Sequence, residues 1–307
     1  MERTYITNNH LKSAVQEFQG YMEKDEEPPQ DVFIEMMNEL KVSNLLIPGK
    51  IEDDSLNFEN LSSEEDDITV LPLFTDDDEF IRQNGEDYEL DPIACDFDYY
   101  LDLIENVAID GILINCASDE FLFESELLLE YPFIQFVEGD YEDEGLEVEE
   151  LKDIAESTRN ESLLQFIRSG DTQFEALMLE LQKSTLLNVV ASEESLDEFA
   201  ENGIISGDEV GGFELCTANA EDGEFAILFT DIDAISETRS DDMHCYCQLA
   251  LLDEFFEYAL CSDLDGIIIN PGLDDYVIPR SYILEAYGVL TYSNPDFKNA
   301  IDYAFLI

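Results

Sequence analysis

Two stretches of this chain carry apolar residues on a helical beat. "FIEMMNELKVSNLL" (33–46) places them at 33, 36, 37 and 40, and "FEALMLELQKSTLL" (174–187) at 174, 177, 178 and 181. Residues at i, i+3, i+4 and i+7 share one helix face, so each stretch predicts a half-buried helix. A second stripe, Phe97, Tyr100, Leu101, Ile104 and Val107, has its counterpart in Leu252, Phe255, Phe256, Ala259 and Ser262, whose last member is polar. The runs "ILIN" after Asp110-Gly111 and "IIIN" after Asp265-Gly266 show no polar alternation. Such runs suit central strands covered on both faces.

The pattern in the first half predicts helices near 9–24 and 30–43, then a short strand "NLLIP". The strand "ITVLPLF" (68–74) follows, then a short helix over Asp76–Gln83 and a longer one near 97–108. Thr75 stands where it N-caps the short helix, with Asp78 supporting its first turn. Thr230 and Asp233 take those places after "EFAILF" in the second half.

The matches are regular. "DGILIN" (110–115) recurs as "DGIIIN" (265–270) and "LFTD" (73–76) as "LFTD" (228–231), both at an offset of 155 residues. The upstream helix recurs at an offset of 141, so the second copy holds 14 extra residues between that helix and LFTD. They fall in the Gly- and acid-rich stretch 191–223, which is expected to be a surface loop. One module copied in tandem follows: 1–137, an acidic linker with the start of a helix at 138–158, and 159–307. The expected fold class is α+β, two similar modules, each a small mixed β-sheet packed with α-helices.

"LPLFTDDDEF", a helix and "DGILIN", like "ILFTDIDAI" and "DGIIINPG", resemble the SseB N-terminal-domain family, named for enhanced serine sensitivity. The family pattern has an early strand ending in proline, an LPLFTS-like strand and a closing strand ending in Asn-Pro-Gly. Asn270-Pro271-Gly272 fits that ending, whereas the first copy has Asn115-Cys116-Ala117; "LLIPG" keeps the early proline and "LLNVVAS" does not. The resemblance implies a small α+β module and supplies no catalytic residues.

Charge changes the picture most. The 307 residues include 13 Lys and Arg against 75 Asp and Glu, a net charge of −62. Up to residue 137 six basic residues face 35 acids, and beyond it seven face 40, leaving −29 and −33. The acid is spread over both halves, and at 45% hydrophobic the chain is too apolar for a disordered acidic tail. Nucleic-acid phosphates need clustered Lys and Arg, which are missing, and an anionic membrane repels this chain. Without an apolar leader or a spanning run, a cytoplasmic protein is expected.

Candidate chemistry is sparse. His244, Cys245 and Cys247 in "HCYC" lack the paired spacing of a four-ligand zinc site, so no metal site is expected. The six cysteines show no framework pattern and read as reduced core residues. "DLDG" (263–266) brings its glycine too early for an EF-hand. With two His residues a nucleophilic triad has little to build on, and no phosphate-binding glycine motif occurs. The chain therefore reads as a non-enzymatic protein that uses no cofactor and binds a basic protein. Asp76, Asp77, Asp78, Asp231 and Asp233 are its candidate binding residues. Two alternatives stand: a divalent-metal-dependent hydrolase using surface carboxylates, and a chain adapted to ionic conditions with no specific partner.

Overall fold

The computed structural model describes residues 6–52, 55–63, 68–85, 88–107, 109–118, 120–133, 146–170, 173–192, 195–220, 223–238, 244–287 and 300–307. The acid run at 64–67 and residues 138–145 of the expected linker lie outside these residues. The chain divides into two units, 1–134 with 261–263, and 135–260 with 264–307. Both mix helix and strand, as an α+β fold requires.

The first unit begins with α1 (Asn9–Met22) and α2 (Gln30–Val42). There follow β1 (Leu45–Glu52), β2 (Ser55–Phe58), β3 (Leu61–Ser63), β4 (Ile68–Leu73) and α3 (Asp77–Asn84). It closes with β5 (Asp91–Cys95), α4 (Phe97–Asn106), β6 (Gly111–Ile114), β7 (Phe121–Glu124) and α5 (Ser125–Glu130). Among the described residues its strands form two sheets, β2-β1-β5 and β3-β4-β6-β7, in which β4 and β6 run parallel and the other pairs antiparallel. Leu46 and Phe74 exchange two backbone hydrogen bonds of 2.9 Å and join the sheets. Met36, Met37 and Leu40 of α2, with Phe97, Tyr100 and Ile104 of α4, bury the predicted helical stripes in one core.

The second unit starts with α6 (Val148–Ser157), whose Leu151 and Ala155 are buried in its core. Next come α7 (Glu161–Ser169), α8 (Phe174–Gln182), β8 (Leu186–Ser192), β9 (Ile204–Ser206) and α9 (Gly207–Val210). Then follow β10 (Thr217–Ala220), β11 (Gly223–Leu228), α10 (Ile232–Thr238), β12 (His244–Ala250) and α11 (Leu252–Cys261). The last elements are β13 (Gly266–Ile269), β14 (Tyr276–Pro279), α12 (Arg280–Tyr287) and β15 (Tyr303–Leu306). Its sheets are β10-β11-β13-β14, with β11 and β13 parallel, and β8-β12-β15-β9.

Registers coincide between the units. Val70 faces Gly111 and Leu73 faces Ile114; 155 residues on, Phe225 faces Gly266 and Leu228 faces Ile269. Leu187 and Phe229 repeat the exchange made by Leu46 and Phe74. The stretch expected to be a loop is a correction: it contains β9, α9 and β10, and β9 adds an edge strand to the β8 sheet. Ile204 and Ile205 supply the apolar pair that lets this short segment pair with β15.

The repeated phrase is explained by what its residues hold. Asp110 donates its backbone N–H to the Thr69 carbonyl and accepts the Thr69 N–H on its carboxylate, both at 2.7 Å. Asp265 does the same to Glu224, both at 2.8 Å. A Cβ on Gly111 would be driven into the Phe123 carbonyl oxygen, and one on Gly266 into that of Ile278. Ile112 and Ile267 are wholly buried. The closing Asn115 and Asn270 adopt φ of 48° and 52°, a left-handed conformation that asparagine tolerates better than most residues.

Replacing Asn115 or Asn270 by alanine is expected to cost about 3 kcal/mol, combining left-handed strain with a buried polar group left unpaired. Asparagine to glycine removes the hydrogen bonds and relieves the strain, so it should cost less. Amide exchange in β4 and β6, or in β11 and β13, separates the two contributions.

Candidate functional site

The two LFTD motifs meet the closing asparagines. Asn115 Oδ1 accepts the Thr75 N–H at 3.0 Å, and its Nδ2 donates to Thr75 Oγ1 at 2.9 Å. The Thr75 hydroxyl in turn donates to Asp76 Oδ2 at 3.1 Å, while Asp76 Oδ1 accepts the Glu79 N–H at 2.8 Å. Thr230, Asn270, Asp231 and the Ala234 N–H repeat every link at 2.9–3.0 Å. The N-cap is therefore Asp76, and in the second unit Asp231; the expectation that Thr75 and Thr230 cap these helices is corrected. A threonine whose hydroxyl is engaged by a strand-ending asparagine is not free to cap, and the next residue does so.

The same threonines receive the residue that precedes one helix in each unit, Asn8 before α1 and Asn160 before α7. Asn8 Nδ2 donates to the carbonyls of Asn44 and Thr75 at 2.7 and 2.8 Å. Asn160 Nδ2 donates to those of Thr185 and Thr230 at 2.5 and 2.7 Å. These asparagines lie 152 residues apart, an offset matching neither of the others. Behind them Leu11 and Val15, then Leu163 and Ile167, are buried alike.

The candidate acids are thereby sorted. Asp76 and Asp231 are spent on caps, and Asp77 is buried. Asp78 is exposed, and Asp233 is exposed with Arg159 3.5 Å away. The structure does not gather the five into one cluster within either unit. Glu79, 1% exposed, is held by Lys12 at 2.7 Å, Arg82 at 2.8 Å and Ser118 at 2.7 Å, so its charge is fully compensated. In "HCYC", Cys245 and Cys247 share a face of β12 opposite to His244, and burial pushes the Cys247 thiol up to about 12. None of the six cysteines is in a disulfide. Among the described residues no three His, Cys, Asp or Glu side chains converge as metal ligands, and no helix is long and apolar enough to cross a membrane.

A cavity of about 670 Å³ lies within the second unit, a volume ordinary for small-molecule sites. Its walls come from β8, β12, α11, the turn before β15, and the 206–215 segment supplied by the extra residues. Asn188 and Gln248 line it from facing strand positions, each 1% exposed. Glu254 lines it from α11, and its carboxyl is pushed up to about 7 by burial, then by Asp253, Asp302 and Glu257. Sequence reasoning missed all three residues. The signal was present: superposing "LLIPG" on "LLNVV" sets Asn188 on Ile47.

No family model, curated protein or solved structure matches this chain.

A carboxyl with a raised folded-state pKa favours folding below its unfolded value and loses that contribution as pH rises through the folded one. For Glu254 the window runs from the ordinary 4.5 to about 7. Glu254→Gln should therefore gain thermal stability relative to the parent between pH 5 and pH 8. Melting curves at both pH values check this; a constant gap would separate the side chain from the titration.

Proposed function

We propose that this chain is a non-enzymatic, cytoplasmic binding protein that engages a basic protein through its acidic faces. The supporting observation is the net charge of −62, distributed over both halves, while the repeated motifs are occupied with holding strands and helices together. Self-repulsion on this scale opposes folding, and the same field speeds encounter with a basic surface. Asp78 and Asp233 are the two of its five candidate residues that keep exposed carboxylates. In this reading the SseB-like resemblance accounts for the scaffold, and nucleic acids and membranes are not partners.

A second reading, a hydrolase working through carboxylates, is favoured by Glu254. A cavity-lining acid with a pKa near neutrality has the ionisation of a general acid or base. Turnover of ester or phosphoester probes with added Mg²⁺ or Mn²⁺, abolished in Glu254→Gln, would select this reading over the first.

Affinity capture from native lysate at about 50 mM KCl should retain basic proteins that elute as salt rises above about 300 mM, where screening is strong. An unrelated protein of similar charge density must not retain the same species. Retention of identical sets by both baits would reduce the interaction to charge alone.

A further inference from the structure

The units differ in chemistry at one pair of equivalent sheet positions. β1 and β5 pair Ile47 with Ile93, whereas β8 and β12 pair Asn188 with Gln248. Each pair stands one residue beyond the bridge that joins the two sheets of its unit. Ile47 is wholly buried in the first unit's core, so the scaffold itself is satisfied by a branched hydrocarbon here. Burying an amide instead is costly wherever one of its groups stays unpaired, about 1–3 kcal/mol.

One group does. Asn188 Oδ1 accepts no hydrogen bond among the described residues. Its orientation is set by its neighbour: Gln248 Nε2 donates to the Ile301 carbonyl at 2.8 Å, so Gln248 Oε1 must accept from Asn188 Nδ2, at 2.9 Å. Turning the Asn188 amide over would set two oxygens against each other. An unpaired acceptor is thus locked in place on a residue that lines the cavity.

The rest of the lining narrows what fits. Glu254, Asp208 and Asp302 contribute carboxylates, and among the described residues no Lys, Arg or His lines the cavity. Phe213, Phe255 and Tyr258 supply aromatic wall. An unpaired acceptor asks for an N–H donor, the carboxylates for positive charge, and the rings for an apolar body or a cation over their faces.

We propose that the cavity of the second unit binds a small organic ammonium, a protonated primary amine on an apolar body, whose N–H groups satisfy Asn188 and whose charge Glu254 balances. This stands apart from the acidic-face reading, because the cavity can hold an amine whether or not those faces hold a protein. A lysine side chain carries the same ammonium group, and the experiment separates the two sources.

Binding also carries a pH signature. Glu254 faces Asp253 and Glu257 on its own helix and Asp302 from the turn before β15, with Asp208 of α9 and Tyr258 in the same lining. A cation favours the ionised carboxylate, so affinity rises with pH and binding releases protons. A carboxyl titrating at about 7 goes from about one-tenth to about nine-tenths ionised between pH 6 and pH 8, which predicts about tenfold tighter binding.

Titration calorimetry on the full chain provides the test, with phenethylammonium, 2-phenylethanol, phenethyltrimethylammonium and the peptide acetyl-Gly-Lys-Gly-amide as probes. Phenethylammonium should bind, with the neutral alcohol and the trimethylated cation about tenfold weaker, for want of charge and of N–H donors respectively. Glu254→Gln and Asn188→Leu should each lose about as much. The probe comparison on the unaltered chain stands even if a variant misfolds. Binding of the peptide in preference to the free amine would overturn the small-molecule source and assign the cation site to a partner's lysine. Equal binding of alcohol and amine, indifference to Glu254→Gln in a folded variant, or no binding of any ammonium at about 10 mM would overturn the proposal.

Discussion

A pair of parallel strands is the constraint on which each unit rests. Parallel neighbours cannot be joined by a tight turn; the chain must leave, cross over and return in register. Here it returns after about 40 residues, and both ends of the returning strand are fixed. At the start an aspartate grips the backbone of the neighbouring strand twice, and at the end an asparagine in a left-handed conformation grips the threonine that leaves that strand. Thr75 and Thr230 are wholly buried, and at each of them a strand end, a helix cap and the residue preceding another helix, α1 or α7, meet.

The two units carry different chemistry at corresponding registers. Where the first unit buries Glu79 against Lys12, the second has Ala234 and Leu164 at the corresponding sequence offsets. Where the first closes its sheet with Ile47 and Ile93, the second inserts two amides and leaves room in front of them. Extra residues wall that room, and their strand β9 seals the sheet edge through Ile204 and Ile205. The links at Thr75 and Thr230 correspond, whereas buried positions such as Glu79 and Asn188 differ from their counterparts.

The helices were legible because their apolar stripes are long: Met36, Met37 and Leu40, like Phe97, Tyr100 and Ile104, sit where a 3.6-residue period puts them. The central strands were legible from Ile112 and Ile267 and their apolar neighbours. The caps were misassigned by one residue because Thr75 and Asp76 are both good capping residues, and the choice depends on Asn115, 40 positions away in the chain. The 191–223 stretch reads as loop by composition, yet two isoleucines suffice for an edge strand once β15 offers a partner. Asn188, Gln248 and Glu254 come together only through strand pairing and helix docking. Among 75 acidic residues, no local pattern distinguishes Glu254 from its neighbours.

The contacts of Asn8 set an order of events during synthesis. Its amide waits for Thr75, 67 residues downstream, and Thr75 waits for Asn115, a further 40. While the chain emerges from a ribosome, the first helix pair can form early, but its anchoring point is absent until more than a hundred residues have been made. Each unit therefore locks late, when its last central strand arrives, and the nascent chain carries unpaired strand edges until then.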